Sequence, residues 1–107
     1  MSVDRPCTLA TLRARSGQEG ELLHVMTELG ELLAGLPARP GGSTLVQSLD
    51  DPLVYHSSVW WHRVEDLEAM RADPAVVQRL ERMVGLCREF TSSACRVVVT
   101  DGDPAPA

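Results

Sequence analysis

The 107-residue chain carries ten arginines and no lysine against 15 acidic residues, for a formal charge of -5, and 44% of its residues are apolar. One hydrophobic core is possible at this length, burying roughly 60–68% of the extended-chain surface, and the apolar content is that of a folded protein rather than a disordered one. The acidic balance, with most arginines interspersed among Asp and Glu, argues against nucleic acid and anionic membrane surfaces as partners.

No apolar run approaches the ~18 residues of a membrane span, and the opening MSVDRPC lacks the charged and apolar regions of a signal peptide, so a cytoplasmic protein is expected. Cys7, Cys87 and Cys95 are odd in number and form no CxxC pair. They keep no regular spacing to His24, His56 or His62. Reduced thiols and no metal site are expected. The layout expected is a flexible start over residues 1–6, a single domain over 7–100 and a flexible Pro/Ala/Gly tail over 101–107.

In chain order, Cys7 to Arg15 reads as a strand, with Leu9 and Thr11 on one side and Ala10, Leu12 and Ala14 on the other. Ser16-Gly17-Gln18 ends it. A helix from Gln18 to Leu36 follows, its apolar stripe formed by Leu22, Val25, Met26, Leu29, Leu32, Leu33 and Leu36. After the turn-rich Pro37 to Gly42, a strand is expected over Ser43 to Leu49. A tight turn through Asp50-Asp51-Pro52 then leads into a strand over Val54 to Trp61. Helical signals return at Val64. Asp73-Pro74 combines an N-cap with proline at the first helical position, opening a further helix whose stripe continues through Val76, Leu80, Met83, Cys87 and Phe90. Thr91 to Ser93 breaks that pattern, and Ala94 to Thr100 reads as the last strand.

The order strand, helix, strand, strand, helix, strand, with right-handed crossovers, predicts an α+β fold: the ferredoxin-like split βαβ arrangement, a four-stranded antiparallel sheet with both helical layers on one face. The opposite face would then expose long apolar side chains unless a partner covered them.

The chain resembles the antibiotic biosynthesis monooxygenase family of dimeric α/β-barrel proteins. The resemblance runs from about Thr8 to Val98. It is carried by Ser16-Gly17-Gln18-Glu19 before a long helix, Gly41-Gly42 before a strand, the Asp50-Asp51-Pro52 turn, Trp61 followed by Glu65-Asp66-Leu67, and Met70-Arg71-Ala72-Asp73-Pro74 leading into the last helix. It implies a homodimer whose sheets pack into a barrel, with one cavity per subunit between sheet and helices. The implied activity is a cofactor-independent oxygenase that uses molecular oxygen on an aromatic polyketide, anthrone or quinol-like molecule, with no flavin, haem or metal. A cyclase or isomerase of the same fold, and a noncatalytic dimer that binds an aromatic metabolite, are the alternatives.

Trp61 matches the family's strand-end Trp, which borders the cavity, while Val59 stands where many members carry Glu, and Ala75, Val76 and Val77 replace their histidines. His24, His56 and His62 are the first candidate bases because their ordinary pKa lies near neutrality, with His24 and His56 taken as the catalytic candidates, and Tyr55 is a candidate hydrogen-bond donor to a quinone or phenolate oxygen. Tyr55, Ser57, Val59 and Trp61 share one strand face and His56, Ser58, Trp60 and His62 the other, so the two sets compete for the cavity. Trp60, Val59, Arg13, Met26 and Met83 complete the expected pocket lining. For each of these a structural reading stands beside the functional one: a boundary histidine, a core or interface indole, an exposed arginine at a strand end.

Overall fold

Nine residues from Pro6 to Ala14 form β1, the strand against which both halves of the chain assemble. In the computed structural model, which describes residues 5–102, it is followed by α1 (Glu19–Ala34), β2 (Gly42–Gln47), β3 (Val54–Trp60), α2 (Val64–Ala72), α3 (Pro74–Gly85) and β4 (Cys87–Arg96). The strands lie in the order β2-β3-β1-β4 and every neighbouring pair is antiparallel, which is the ferredoxin-like topology. Among the described residues, no helix is long and apolar enough to cross a membrane.

Local chemistry fixes the joints. Gly17 adopts φ +84°, a left-handed conformation that glycine alone enters without a Cβ penalty, and so turns the chain from β1 into α1. Between β2 and β3, the Asp51 carboxylate accepts from the Leu53 N–H at 3.0 Å, while the Ser48 hydroxyl accepts from the N–H groups of Asp50 and Asp51. The Asp73 carboxylate accepts from the N–H groups of Ala75 (2.9 Å) and Val76 (3.2 Å), with Pro74 opening α3, so this helix starts as its cap chemistry predicts.

Several boundaries differ from expectation. The last helix does not continue through Cys87 and Phe90: α3 ends at Gly85, and β4 begins at Cys87 and runs through the Thr91–Ser93 segment that reads as a break. The physical reason is pairing with β1, which registers Leu12 with Phe90, Thr11 with Thr91, Ala10 with Ser92 and Leu9 with Ser93. Ladder hydrogen bonds override the helical spacing of Cys87 and Phe90. Beyond Arg96 the strand stops, leaving Val98 and Val99 largely exposed. At the other end, Pro6 opens β1 and the Arg5 carbonyl accepts from the Val97 N–H at 2.8 Å, so these two residues, expected to be flexible, are held by the sheet. Asp101 and Gly102, at the start of the tail expected to be flexible, are exposed and outside regular structure; the other segments, 1–4 and 103–107, lie outside the described residues.

The core sits on one sheet face in two clusters. One gathers Leu12, Ala14, Leu22, Val25, Tyr55, Met83 and Cys87; the other gathers Leu33, Trp61, Leu67, Met70 and Val76. Leu29 and Leu80 pack against both clusters.

Candidate functional site

Where the two clusters meet, the packing leaves a cavity of about 170 Å³. Its floor is a cross-strand row on the helix-facing side of the sheet: Ser57 of β3 lies opposite Ala10 of β1, and Ala10 lies opposite Ser92 of β4. Three small side chains abreast cannot fill the gap between sheet and helices, which a row of Leu or Val would close. Thr8 and Val59 extend the floor toward Trp61. The roof is Met26, Leu29 and Leu33 of α1 with Val76, Leu80 and Met83 of α3, and the end of α2 adds Met70 and Arg71.

Trp61 is 1% exposed and forms the flat wall, its indole N–H donating to the Thr8 hydroxyl at 3.5 Å. The other polar groups of the lining are the hydroxyls of Ser57 and Ser92 and, at the solvent edge, the Arg71 guanidinium. An engineered apolar cavity of about 150 Å³ admits benzene, so the space matches one aromatic ring, and a larger molecule would project through the opening. Were a void of this size enclosed and unfilled, it would forgo about 4 kcal/mol of packing at ~24 cal/mol per Å³.

The residues expected to carry chemistry divide between the two sides of the sheet. Trp61, Val59, Met26 and Met83 line the cavity. Tyr55 has the same strand parity but is buried in the first core cluster, where its hydroxyl accepts from Gln47 Nε2 at 3.4 Å, and it does not line the cavity. Leu12 lies directly opposite it, and Leu22 and Val25 close over the same core.

His24 stands on the exposed side of α1 with Nε2 3.7 Å from Glu28, one turn along, and is turned away from the cavity because Leu22 and Val25 take the inward positions. His56 lies on the opposite sheet face, Nδ1 hydrogen-bonded to the Thr11 hydroxyl at 3.0 Å, in a shallow groove with Thr44, Val46 and Ser58. Trp60 is on that face too, under the Arg5 guanidinium at 5.9 Å from the ring centroid. Arg13 also leaves the expected pocket, because its guanidinium pairs with Asp51 at 2.6 Å and lies 3.9 Å from Glu89.

Sequence reasoning missed Thr8, Ser57, Ser92, Met70 and Arg71 as lining groups. Period-two alternation from Trp61 gives Ser57, and alternation from Leu12 gives Ala10 and Thr8. Ser92 is found only once β4 is known to begin at Cys87.

The thiols do not join this site. All three cysteines are free, and Cys7 faces Cys95 across the β1–β4 pair. Burial pushes the Cys7 thiol pKa up and the nearby Cys95 adds to the shift; burial likewise raises Cys87. Among the described residues, no group of three His, Cys, Asp or Glu side chains is placed to hold a metal ion.

Solved structures share this architecture. SnoaB, a cofactor-independent oxygenase from Streptomyces nogalater, superimposes with a TM-score of 0.77 at 15% identity, over 97% of this chain and 99% of its own. A conserved protein from Methanosarcina mazei Go1 gives a TM-score of 0.80 at 11% identity, over 89% and 94% of the two chains. A Chloroflexus aurantiacus protein provisionally described as an antibiotic biosynthesis monooxygenase gives 0.72 at 18% identity, over 92% and 97%. No protein-family model and no curated protein matches the sequence. At these identities the common property is the fold: a four-stranded antiparallel sheet with helices flanking one face, shared along nearly the whole chain.

Proposed function

We propose that the protein takes an electron-rich aromatic molecule, of the hydroquinone, naphthol or anthrone kind, into the cavity beside Trp61 and oxidises it with molecular oxygen without a cofactor. The observation that carries this reading is a ring-sized apolar cavity whose interior polar groups are neutral hydroxyls and one indole N–H. The fold of a cofactor-independent oxygenase supports it.

Such a substrate brings its own electrons. A hydroquinone transfers two electrons and two protons to oxygen, giving quinone and hydrogen peroxide. An anthrone methylene becomes a carbonyl as one oxygen atom is retained and the other leaves as water. The protein's contribution is to favour the ionised substrate. Hydroxyl protons of Thr8, Ser57 or Ser92 can donate to a phenolate oxygen where low polarity strengthens each bond, while Trp61 and the methionines hold the ring and exclude water.

The substrate proton leaves through the opening to solvent. The rate is therefore expected to rise with pH toward the substrate's own ionisation, with no limb near 6.5 from a histidine. A cyclase or isomerase would need a positioned proton-transfer group, and the cavity's lining among the described residues includes no His, Asp, Glu or Tyr. That same composition favours noncatalytic binding of an aromatic metabolite as the second reading.

A second copy of the chain is proposed to cover the open face of the sheet. Leu9 and Val46 remain 46% and 48% exposed there, and Thr11, Thr44, Ser58, Thr91 and Ser93 are small enough for two sheets to approach to about 10 Å.

The test is oxygen uptake by purified, metal-free protein supplied with a panel of hydroquinones, naphthols and anthrones, with product mass followed in parallel. Protein-dependent, saturable uptake matched by quinone, and lost in Ser57→Leu, is the expected result. Saturable binding without uptake across the panel would leave the protein as a binder.

A further inference from the structure

The cavity is neutral except at one place. Arg71, in the last turn of α2, lies on its rim while the preceding Met70 packs inside. Among the described residues Arg71 has no ion pair or hydrogen bond. None of the three carboxylates on its helix pairs with it: Asp66 pairs with Arg63 at 3.2 Å, and neither Glu65 nor Glu68 forms an ion pair with Arg71. A guanidinium without a carboxylate keeps its planar fork of donors available to an incoming anion.

The placement also suits the energetics of an amphiphilic ligand. An anionic group buried among Met26, Leu29 and Met83 would lose its hydration without a charged partner, whereas at the rim it keeps water and gains a cation. The whole chain has a formal charge of -5 and repels small anions at a distance, so attraction for one must come from a local group such as this.

We infer that Arg71 is a specificity-determining residue that selects aromatic molecules bearing a carboxylate, or another group ionised at neutral pH, with the ring against Trp61 and the anion at the rim. The inference rests on the reading of the cavity as an aromatic site. The alternative role for Arg71 is favourable charge at a helix C-terminus, which acts on stability and leaves ligand preference untouched.

Binding of a matched pair of probes separates these roles. The full chain is titrated with 2-naphthoate and with the neutral 2-naphthalenemethanol at low salt, by calorimetry, alongside Arg71→Gln and Arg71→Lys. The naphthoate is expected to bind about tenfold or more tighter than the alcohol, with the advantage eroded by added sodium chloride. In Arg71→Gln the preference should disappear while the alcohol's affinity is unchanged, and Arg71→Lys should retain part of it. Equal affinity for the two probes in the parent protein, or a preference that survives Arg71→Gln, would overturn the assignment. If neither probe binds, the cavity is not an aromatic site, and the assignment falls with that reading. Because Arg71 is exposed, the variants are expected to fold, and their thermal melts should overlay that of the parent.

Discussion

The two faces of β3 are built from adjacent residues and do different things. Ser57, Val59 and Trp61 look toward the helices and form a cavity wall, whereas His56, Ser58 and Trp60 look away into a shallow groove on the open side. Both faces have aromatic and hydroxyl groups in the same alternation and both carry a space large enough for a ring, about 170 Å³ on the covered side and about 240 Å³ on the open side, but only the covered one lies between two packed layers. What separates them is the roof from α1 and α3 over the small row Ser57, Ala10 and Ser92. Side-chain identity alone does not make a site here; a deficit of volume beneath a packed layer does.

The largest expected effect comes from breaking the covered face. Trp61→Ala removes a fully buried wall and should cost about 3–5 kcal/mol, a large share of the total stability of a domain this size, as read from chemical denaturation midpoints. On the open face a comparable change should leave the fold alone. Leu9→Glu or Val46→Glu would bury a charge in the proposed contact between copies and should weaken self-association by at least about 100-fold in analytical ultracentrifugation, with little change in the monomer's far-UV spectrum. A dimer that survives either change would remove the open face from consideration as the interface.

Asp73→Ala is expected to cost about 1 kcal/mol, because the α3 roof would lose the acceptor for the Ala75 and Val76 N–H groups. The smallest effect concerns the rim of the open side. The Leu53 N–H, followed by the Arg13 guanidinium, holds the Asp51 carboxyl below its ordinary pKa. Its contribution to stability is therefore present above the unfolded value of about 3.9 and is lost as pH falls through the lower folded value. Asp51→Asn should flatten that part of the acid limb in melts recorded from pH 6 to pH 3.

The contrast between the faces was partly legible in the sequence. Alternation along Val54 to Trp61 separated Trp61 from His56, and the stripe from Leu22 to Leu36 placed a helix over the sheet. The Asp73-Pro74 cap and the Asp50-Asp51-Pro52 turn carried their own local chemistry and needed no tertiary contact to be recognised. Tyr55 and His24 were harder. Tyr55 has the parity of the cavity wall but lies too far along β3 from Trp61, in the other core cluster, and His24 borders the apolar stripe without joining it.

The start of β4 was not legible, since Arg88, Glu89 and Phe90 suit a helix as well as a strand and only pairing with β1 decides. The cavity floor depended on that pairing, because Ser92 meets Ala10 only when the strand begins at Cys87. The register shift at Arg13/Ala14 likewise belongs to the paired strands and has no signal in either one alone.

The most direct test of the central claim, that the ligand site is the helix-covered cavity rather than the open groove, uses two neighbouring serines. Naphthol affinity is measured by calorimetry for Ser57→Leu, which fills the cavity floor, and for Ser58→Leu, which alters the groove beside His56. Ser57→Leu is expected to weaken binding by at least about tenfold while Ser58→Leu leaves it unchanged. The reverse pattern, with binding lost in Ser58→Leu and kept in Ser57→Leu, would contradict that claim.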